Sequence, residues 1–224
     1  MNSTMEQIKD FLVVGGPVVW ILLGFSMIAV TIFLVKLWQL ATLRAESRKS
    51  INIALDAWRA RDVDTALNTL SEKRPVESVV AYSMEALRHA NREVASVREE
   101  AERRALNTLH DLRSFLRPLE IIGSLSPLLG LLGTVLGMIT AFQQMESAGA
   151  QVDPSVLSGG IWQALLTTAV GIAVAIPVIA MHAWLERKVE RVAHNMNDAV
   201  TQVFTSKEGE RLAAVAAREV PHAA

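Results

Sequence analysis

The chain has 224 residues, 51% of them hydrophobic and 20% charged, with 22 Lys and Arg against 23 Asp and Glu. A net charge near zero leaves no electrostatic footprint for nucleic acid, and the absence of cysteine removes disulfides and CxxC zinc sites. The apolar share exceeds that of most soluble domains while the charges are unevenly spread, so the composition is that of a protein part in lipid and part in water.

After an N-terminal segment over 1–16, the first predicted element is an apolar helix over 17–40, PVVWILLGFSMIAVTIFLVKLWQL. It exceeds the ~20 residues needed to cross hydrocarbon. Its one charge, Lys36, stands near the end, where the ammonium is expected to snorkel to the interface. The run is too long for a secretory h-region and no A-x-A-like site follows it, so it reads as a retained anchor.

Residues 41–118 read as a helical domain. INIALDAWRARDVDTALNTL puts Ile51, Leu55 and Trp58 on one face and breaks at Arg61–Asp62, with Asp64 placed to cap the next short helix. Beyond Arg74–Pro75 a second pattern runs through Val79, Val80, Met84 and Leu87, then Val94, Val97, Ala101, Ala105, Leu109, Leu112 and Leu116. The opposite face is charged, with Glu99 and Arg103 spaced as an i,i+4 pair. This predicts a long helix entering the next apolar segment almost straight, bent or interrupted near Pro118.

The second spanning helix is expected over 119–142. A loop over 143–159 carries Glu146 and Asp153, with Asp153–Pro154 as a helix start, and the third spanning helix, over 160–184, is uncharged. The tail over 185–224 is expected to continue that helix and fray after Lys207. Lys and Arg concentrate in 41–118, from Arg44, Arg48 and Lys49 to Arg113 and Arg117, and in the tail at Arg187, Lys188 and Arg191; none lies in 143–159. The positive-inside rule then puts the N-terminus outside and both the 41–118 domain and the C-terminus inside. The predicted fold is an all-α membrane protein with three transmembrane helices, long helices extending into a cytoplasmic helical domain.

Small residues are not scattered along the second and third spans. Gly123, Pro127, Gly130, Thr134, Gly137 and Ala141 recur at i+3 and i+4 and form one helical stripe, with Gly133 beside it; Gly160, Ala164, Thr168, Gly171 and Ala175 form another. Lipid tails are as apolar as leucine, so helices in a bilayer associate through close backbone packing at small residues. The stripes serve either packing of the two spans on each other or close approach of a partner's helix. Thr134 and Thr168 each lie eight residues from the outer end of their span, roughly 12 Å below the surface, and Thr167 is adjacent. One membrane threonine can simply bond its own helix, whereas hydroxyls at one depth on two antiparallel helices could form a polar band around a conduit.

No Asp, Glu, Lys or Arg lies deep in any span. Proton carriers keep ionisable groups in the bilayer, so a proton crossing here needs a titratable group from a partner inserted beside the threonines. Pro177 frees the carbonyl of Ala173 and reads as a structural bend. No Ser-His-Asp set, H-E-x-x-H or phosphate-cradling loop appears, so no enzyme activity, metal or cofactor is expected. An independent transporter is disfavoured by the missing intramembrane charge and the missing internal repeat.

SPLLGLLGTVLGMITAF (Ser126 to Phe142) and GGIWQALLTTAVGIAVAIP (Gly159 to Pro177), with three spans and an outer N-terminus, resemble the ExbB/TolQ/MotA channel subunits of bacterial energy-transducing complexes. MotA-like stators have four spans, so the chain resembles ExbB and TolQ more, and the third-span motif resembles ExbB most. The resemblance implies a homopentamer in the bacterial inner membrane whose second and third spans line a pore. It also implies ExbD-like single-span partners, each with a membrane aspartate, and a TonB-like protein driven by proton passage. Thr134 and Thr168 match the family's pore threonines, with Thr167 and Gln163 beside the pathway. Pro127, Gly130, Gly133, Gly137, Ala164, Gly171 and Ala175 would then be a smooth wall against the partner helices. Gln163 departs from the glutamate common at that position and cannot titrate. A TolQ-like envelope-maintenance energiser and a non-conducting oligomeric scaffold are the rival readings.

Overall fold

The computed structural model describes residues 15–43, 48–89, 93–148 and 154–219, and every regular element among them is an α-helix. In chain order these are α1 (Gly16–Thr42), α2 (Lys49–Arg59), α3 (Val63–Thr69), α4 (Pro75–Arg88), α5 (Val94–Arg113), α6 (Leu116–Ala148), α7 (Pro154–Thr205) and α8 (Lys207–Glu219). Three stretches are long and apolar enough to cross a membrane, Gly16–Thr42, Leu116–Ser147 and Leu157–Thr205. Asp153 and Arg44 lie outside the described residues.

The chain divides into two compact units, one of residues 1–35 and 115–184, the other of 36–114 and 185–224. The first is built from the apolar stretches. Val18, Val19, Leu22, Leu119, Ala141, Ala164, Ala175 and Val178 are buried in it, and Phe33 meets Trp184 edge-on with ring centroids 5.9 Å apart. Many of its large apolar residues, among them Met27, Leu34, Leu128, Leu131, Leu165 and Ile176, are exposed. A water-soluble domain does not show so continuous an apolar face; a bilayer supplies the missing contact.

The second unit has a core of the ordinary water-soluble kind. Ile51, Leu55 and Trp58 of α2, Val79, Val80, Met84 and Leu87 of α4, Val97 and Ala101 of α5, and Val189, Val192, Met196 and Val203 of α7 are buried together. Period-3.6 spacing put each set on one face, and burying an aliphatic side chain of this size contributes about 1.5–3 kcal/mol. Trp58 needs a polar partner for its indole N–H when fully buried. It donates to Val203 O at 3.2 Å and Ser206 Oγ at 2.8 Å, satisfying the end of α7.

Local chemistry departs from the sequence-based expectations at several points. The cap of α3 is Asp62, whose side chain accepts from the Thr65 N–H at 3.1 Å; Asp64 sits in the first turn and pairs with Arg88 at 2.9 Å. Two aspartates flank this helix start, and the one preceding Val63 has the geometry to reach N3. Arg103 bonds Glu100 at 2.6 Å rather than pairing with Glu99, and Arg104 joins at 2.9 Å. These two guanidinium groups hold the Glu100 carboxyl at about 2, the Arg103 hydrogen bond contributing most.

The long helix is interrupted at Ser114–Phe115, ahead of Pro118. Phe115 has φ +64°, a left-handed conformation that is rare for a bulky side chain. Pro118 is the third residue of α6, where its missing N–H would have had no helical partner anyway. Lys36 does not snorkel into water. It is 1% exposed, and its ammonium donates to Gln39 Oε1 at 2.9 Å, Leu112 O at 3.1 Å and Ser114 Oγ at 3.1 Å.

Past Lys207 the tail forms α8, which packs back on α5 and α4 instead of fraying. Ser206 makes the turn: its hydroxyl accepts the Gly209 N–H at 3.1 Å, and a Cβ at Gly209 would collide with the Val203 carbonyl. Glu208, buried, bonds Arg211 at 2.6 Å and faces Arg61 at 3.5 Å. The Arg211 hydrogen bond, more than the charge of Arg61, holds this carboxyl below the ordinary glutamate value of 4.5. A depressed carboxyl stabilises the folded form above the unfolded value and loses that contribution as pH falls through its own. Acidification below about pH 4 is therefore expected to release α8 before the α2–α5 core opens, read as earlier hydrogen exchange in 207–219. Glu208→Gln should show the same release at neutral pH.

Candidate ion pathway along the α6–α7 seam

The two small-residue stripes meet inside the first unit. A Cβ on Gly137 would stand 3.2 Å from Ala164 Cβ, one on Gly130 would stand 2.9 Å from Thr167 O, and one on Gly171 would stand 2.6 Å from Ser126 O and 3.0 Å from Gly130 Cα. Gly160 lies against Ala141, and Gly123 against Val178 and Ile179. Each step up α6 is matched by a step down α7, so the helices keep one antiparallel register along the seam. Gly130, Gly133, Gly171, Ala164 and Ala175 are buried there, and Gly137 and Pro127 half-buried. Their close approach is made within the chain, because removing side chains on both helices lets the backbones touch.

That register sets the threonines. Thr134 comes level with Thr167, and Gly133 with Thr168; a Cβ on Gly133 would overlap the Thr167 side chain. Thr167 is buried, its hydroxyl 2.7 Å from Ala164 O in its own helix and 3.3 Å from Gly130 O across the seam. Thr168, half-buried, donates to the same Gly130 carbonyl at 3.2 Å. Thr134, also half-buried, donates to Leu131 O at 2.6 Å. The Gly130 carbonyl thus accepts the Thr168 hydroxyl across the interface, with the Thr167 hydroxyl, turned to Ala164 O, 3.3 Å from it.

Gln163 is placed differently. Its Nε2 lies 3.5 Å from where a Cβ on Gly16 would stand, at the start of α1, and Gly16 has φ +63°, which glycine adopts without strain. Pro177 is exposed, and α7 continues as helix on both sides of it. Ser126 was not singled out by its sequence context, yet it is fully buried under Gly171 with its hydroxyl on Ile122 O at 2.6 Å. The signal available was the Ser-Pro step inside an apolar run, where a hydroxyl must find a backbone acceptor. Among the described residues no cluster of His, Asp or Glu could hold a metal ion.

The family-model comparison covers these same helices. Residues 71–198, which take in all of α6 and the threonine-bearing part of α7, match the model of the MotA/TolQ/ExbB proton channel family. Biopolymer transport protein exbB1 of Vibrio cholerae is 31% identical over 199 residues, covering 86% of this chain and 87% of that protein. The putative biopolymer transport protein ExbB homolog of Methanothermobacter thermautotrophicus is 30% identical over 129 residues, 56% of this chain and 44% of the relative. Biopolymer transport protein ExbB of Helicobacter pylori is 42% identical over 78 residues, 35% of this chain and 53% of the relative. A chain whose described residues form α-helices, three of them apolar and of spanning length, matched over the seam and along most of its length, is a multi-pass membrane protein that belongs to the MotA/TolQ/ExbB proton channel family.

Proposed function

We propose that this chain is an ExbB-like subunit of a motor in the bacterial inner membrane, driven by the proton-motive force, which energises a TonB-like protein for outer-membrane import. The observation that carries the reading is the pair of half-buried threonines, Thr134 and Thr168, at adjacent levels of two apolar antiparallel helices that lack a carboxylate at that depth. The similarity over 86% of the chain to a protein named for biopolymer transport supports it.

In this reading several copies, five by resemblance, form a ring, and α6 and α7 present the threonine band to the single-span helices of an ExbD-like partner. The partner's membrane aspartate takes up and releases the proton, because nothing in the apolar stretches of this chain can do so at that depth. Residues 1–16 and 143–159 lie in the periplasm, 41–118 and 185–224 in the cytoplasm, following the Lys and Arg distribution. Pro127, Thr134 and the exposed leucines of α6 face the partner, while the seam glycines fix the wall from behind.

Gln163 tunes the site without carrying the proton. Its amide nitrogen, a donor, lies beside the first residue of α1, and the N-terminal end of a helix would also accommodate the negative charge of a glutamate there. Gln163→Glu is accordingly expected to keep proton-dependent transport at the wild-type level, measured in cells lacking the native gene.

The test of the whole reading is gentle affinity purification from native membranes, with the intact complex weighed and its components identified. A single-span protein with a membrane aspartate beside several copies of this chain is the expected result, and the partner's identity separates an ExbB-like from a TolQ-like role. A stable ring without such a protein would leave the threonines without a proton carrier and would favour a scaffold.

A further inference from the structure

Lys36 is a charged residue that the pathway does not use. An ammonium has three N–H donors and no acceptor, and Lys36 donates to Gln39 Oε1, Leu112 O and Ser114 Oγ, with the Asp111 carboxylate near enough to act on its charge. Two of the three acceptors belong to the end of α5. Leu112 O is among the last carbonyls of that helix, which have no partner in the helix itself and carry its negative pole. Ser114 is the residue between α5 and the left-handed Phe115, and its own hydroxyl donates to Asp111 O at 2.6 Å.

Phe115 raises the question of what holds it. A non-glycine residue in this region persists where its surroundings over-determine the backbone. Its ring is exposed, so burial of the side chain is not what fixes it. The preceding backbone is held from within α5 by Asp111 O, which accepts from the Ser114 hydroxyl and N–H, and from α1 by the buried Lys36 ammonium, which bonds both Leu112 O and Ser114 Oγ.

We infer that Lys36 is a positioning residue: its ammonium latches the break between α5 and α6, holding Ser114 and thereby Phe115 in the left-handed conformation from which α6 starts. Its consequence for transport rests on the proposal that α6 is one wall of the proton pathway; the latch itself does not.

The test uses the full-length chain in lipid nanodiscs for hydrogen exchange and in proteoliposomes, with its co-purified partner, for proton flux. Lys36→Met keeps the length and apolarity of the stem and removes the three donors. Amide exchange in residues 110–119 is expected to rise about tenfold while α2–α4 stay protected, a local opening rather than a global one. Glycine adopts φ +64° without strain, so adding Phe115→Gly to Lys36→Met is expected to restore both protection and flux. Should Lys36→Met prevent folding, Ser114→Ala removes one acceptor of the ammonium together with the hydroxyl's own bond to Asp111 O, and is expected to raise exchange in the same peptide. Wild-type exchange at 110–119 in Lys36→Met or in Ser114→Ala, opening spread across the whole helical core, or no rescue by Phe115→Gly would each overturn the latch. Raised exchange at 110–119 with rescue, in a protein whose flux responds neither to Lys36→Met nor to Thr168→Val, would retain the latch and sink the pathway.

Discussion

Gly171→Val is expected to remove the folded, assembled protein almost completely from the membrane. The first atom of the new side chain would meet Ser126 O at 2.6 Å, Gly130 Cα at 3.0 Å and Gly130 N at 3.2 Å, all of them backbone. Overpacking in soluble cores costs about 1–3 kcal/mol because side chains yield. Here no side chain can yield, so the cost lies at or above about 3 kcal/mol and α6 must separate from α7. Thermal unfolding in detergent and the yield of intact complex measure it. Gly24→Ala is the matched control, since a Cβ there has nothing within 4 Å; it should be silent or slightly stabilising, alanine being the better helix former by about 1 kcal/mol. Normal stability in Gly171→Val would mean that the two helices do not pack as described.

Thr168→Val should leave assembly intact and cut proton flux about tenfold, the kinetic equivalent of about 1.4 kcal/mol and of one net hydrogen bond. Valine has nearly the shape of threonine, so the seam keeps its packing while the hydroxyl that reaches the Gly130 carbonyl at 3.2 Å is gone. Thr168→Ser should retain most of the flux. Thr167→Val separates the two roles, because Thr167 is buried with its hydroxyl 2.7 Å from its own helix at Ala164 O. It is expected to lower stability more than flux. Flux equal to wild type in a fully assembled Thr168→Val complex would refute the pathway assignment.

The sequence carried the stripes because glycine, alanine and threonine at i+3 and i+4 are visible without any coordinates. It did not carry their direction. A run of small residues says that something approaches closely, and only the antiparallel register, with Gly137 on Ala164 and Gly130 on Thr167, shows that α6 and α7 are each other's neighbours. The helical unit was readable for the same reason, since Ile51, Leu55 and Trp58 or Val79, Val80 and Met84 obey one period. What failed was local competition. Asp62 and Asp64 both qualify as caps by type, and geometry chose the first. The interruption expected near Pro118 is present, but the turn itself is at Ser114–Phe115, where residue type gives no warning. The tail looked frayed because its large apolar residues are few, and the Trp58–Ser206 bond that docks it pairs residues 148 apart in sequence. Lys36 was misread because position near a span's end suggests water, while the acceptors that captured it lie 76 and 78 residues away.

If the seam is the pathway proposed above, the hydroxyl directions along it set the sign of what it receives. Each hydroxyl has one hydrogen and two lone pairs, and the hydrogens of Thr134, Thr167 and Thr168 are all engaged by backbone carbonyls, on Leu131, Ala164 and Gly130. What Thr134 and Thr168 have left to offer outward is oxygen lone pairs. As they stand the two threonines form an electron-rich surface, which welcomes a protonated carboxyl, a hydronium or a cation and turns away an anion or a bare carboxylate. In the proposed pathway such a wall would distinguish the two protonation states of an acid brought against it, gripping the loaded form and releasing the empty one.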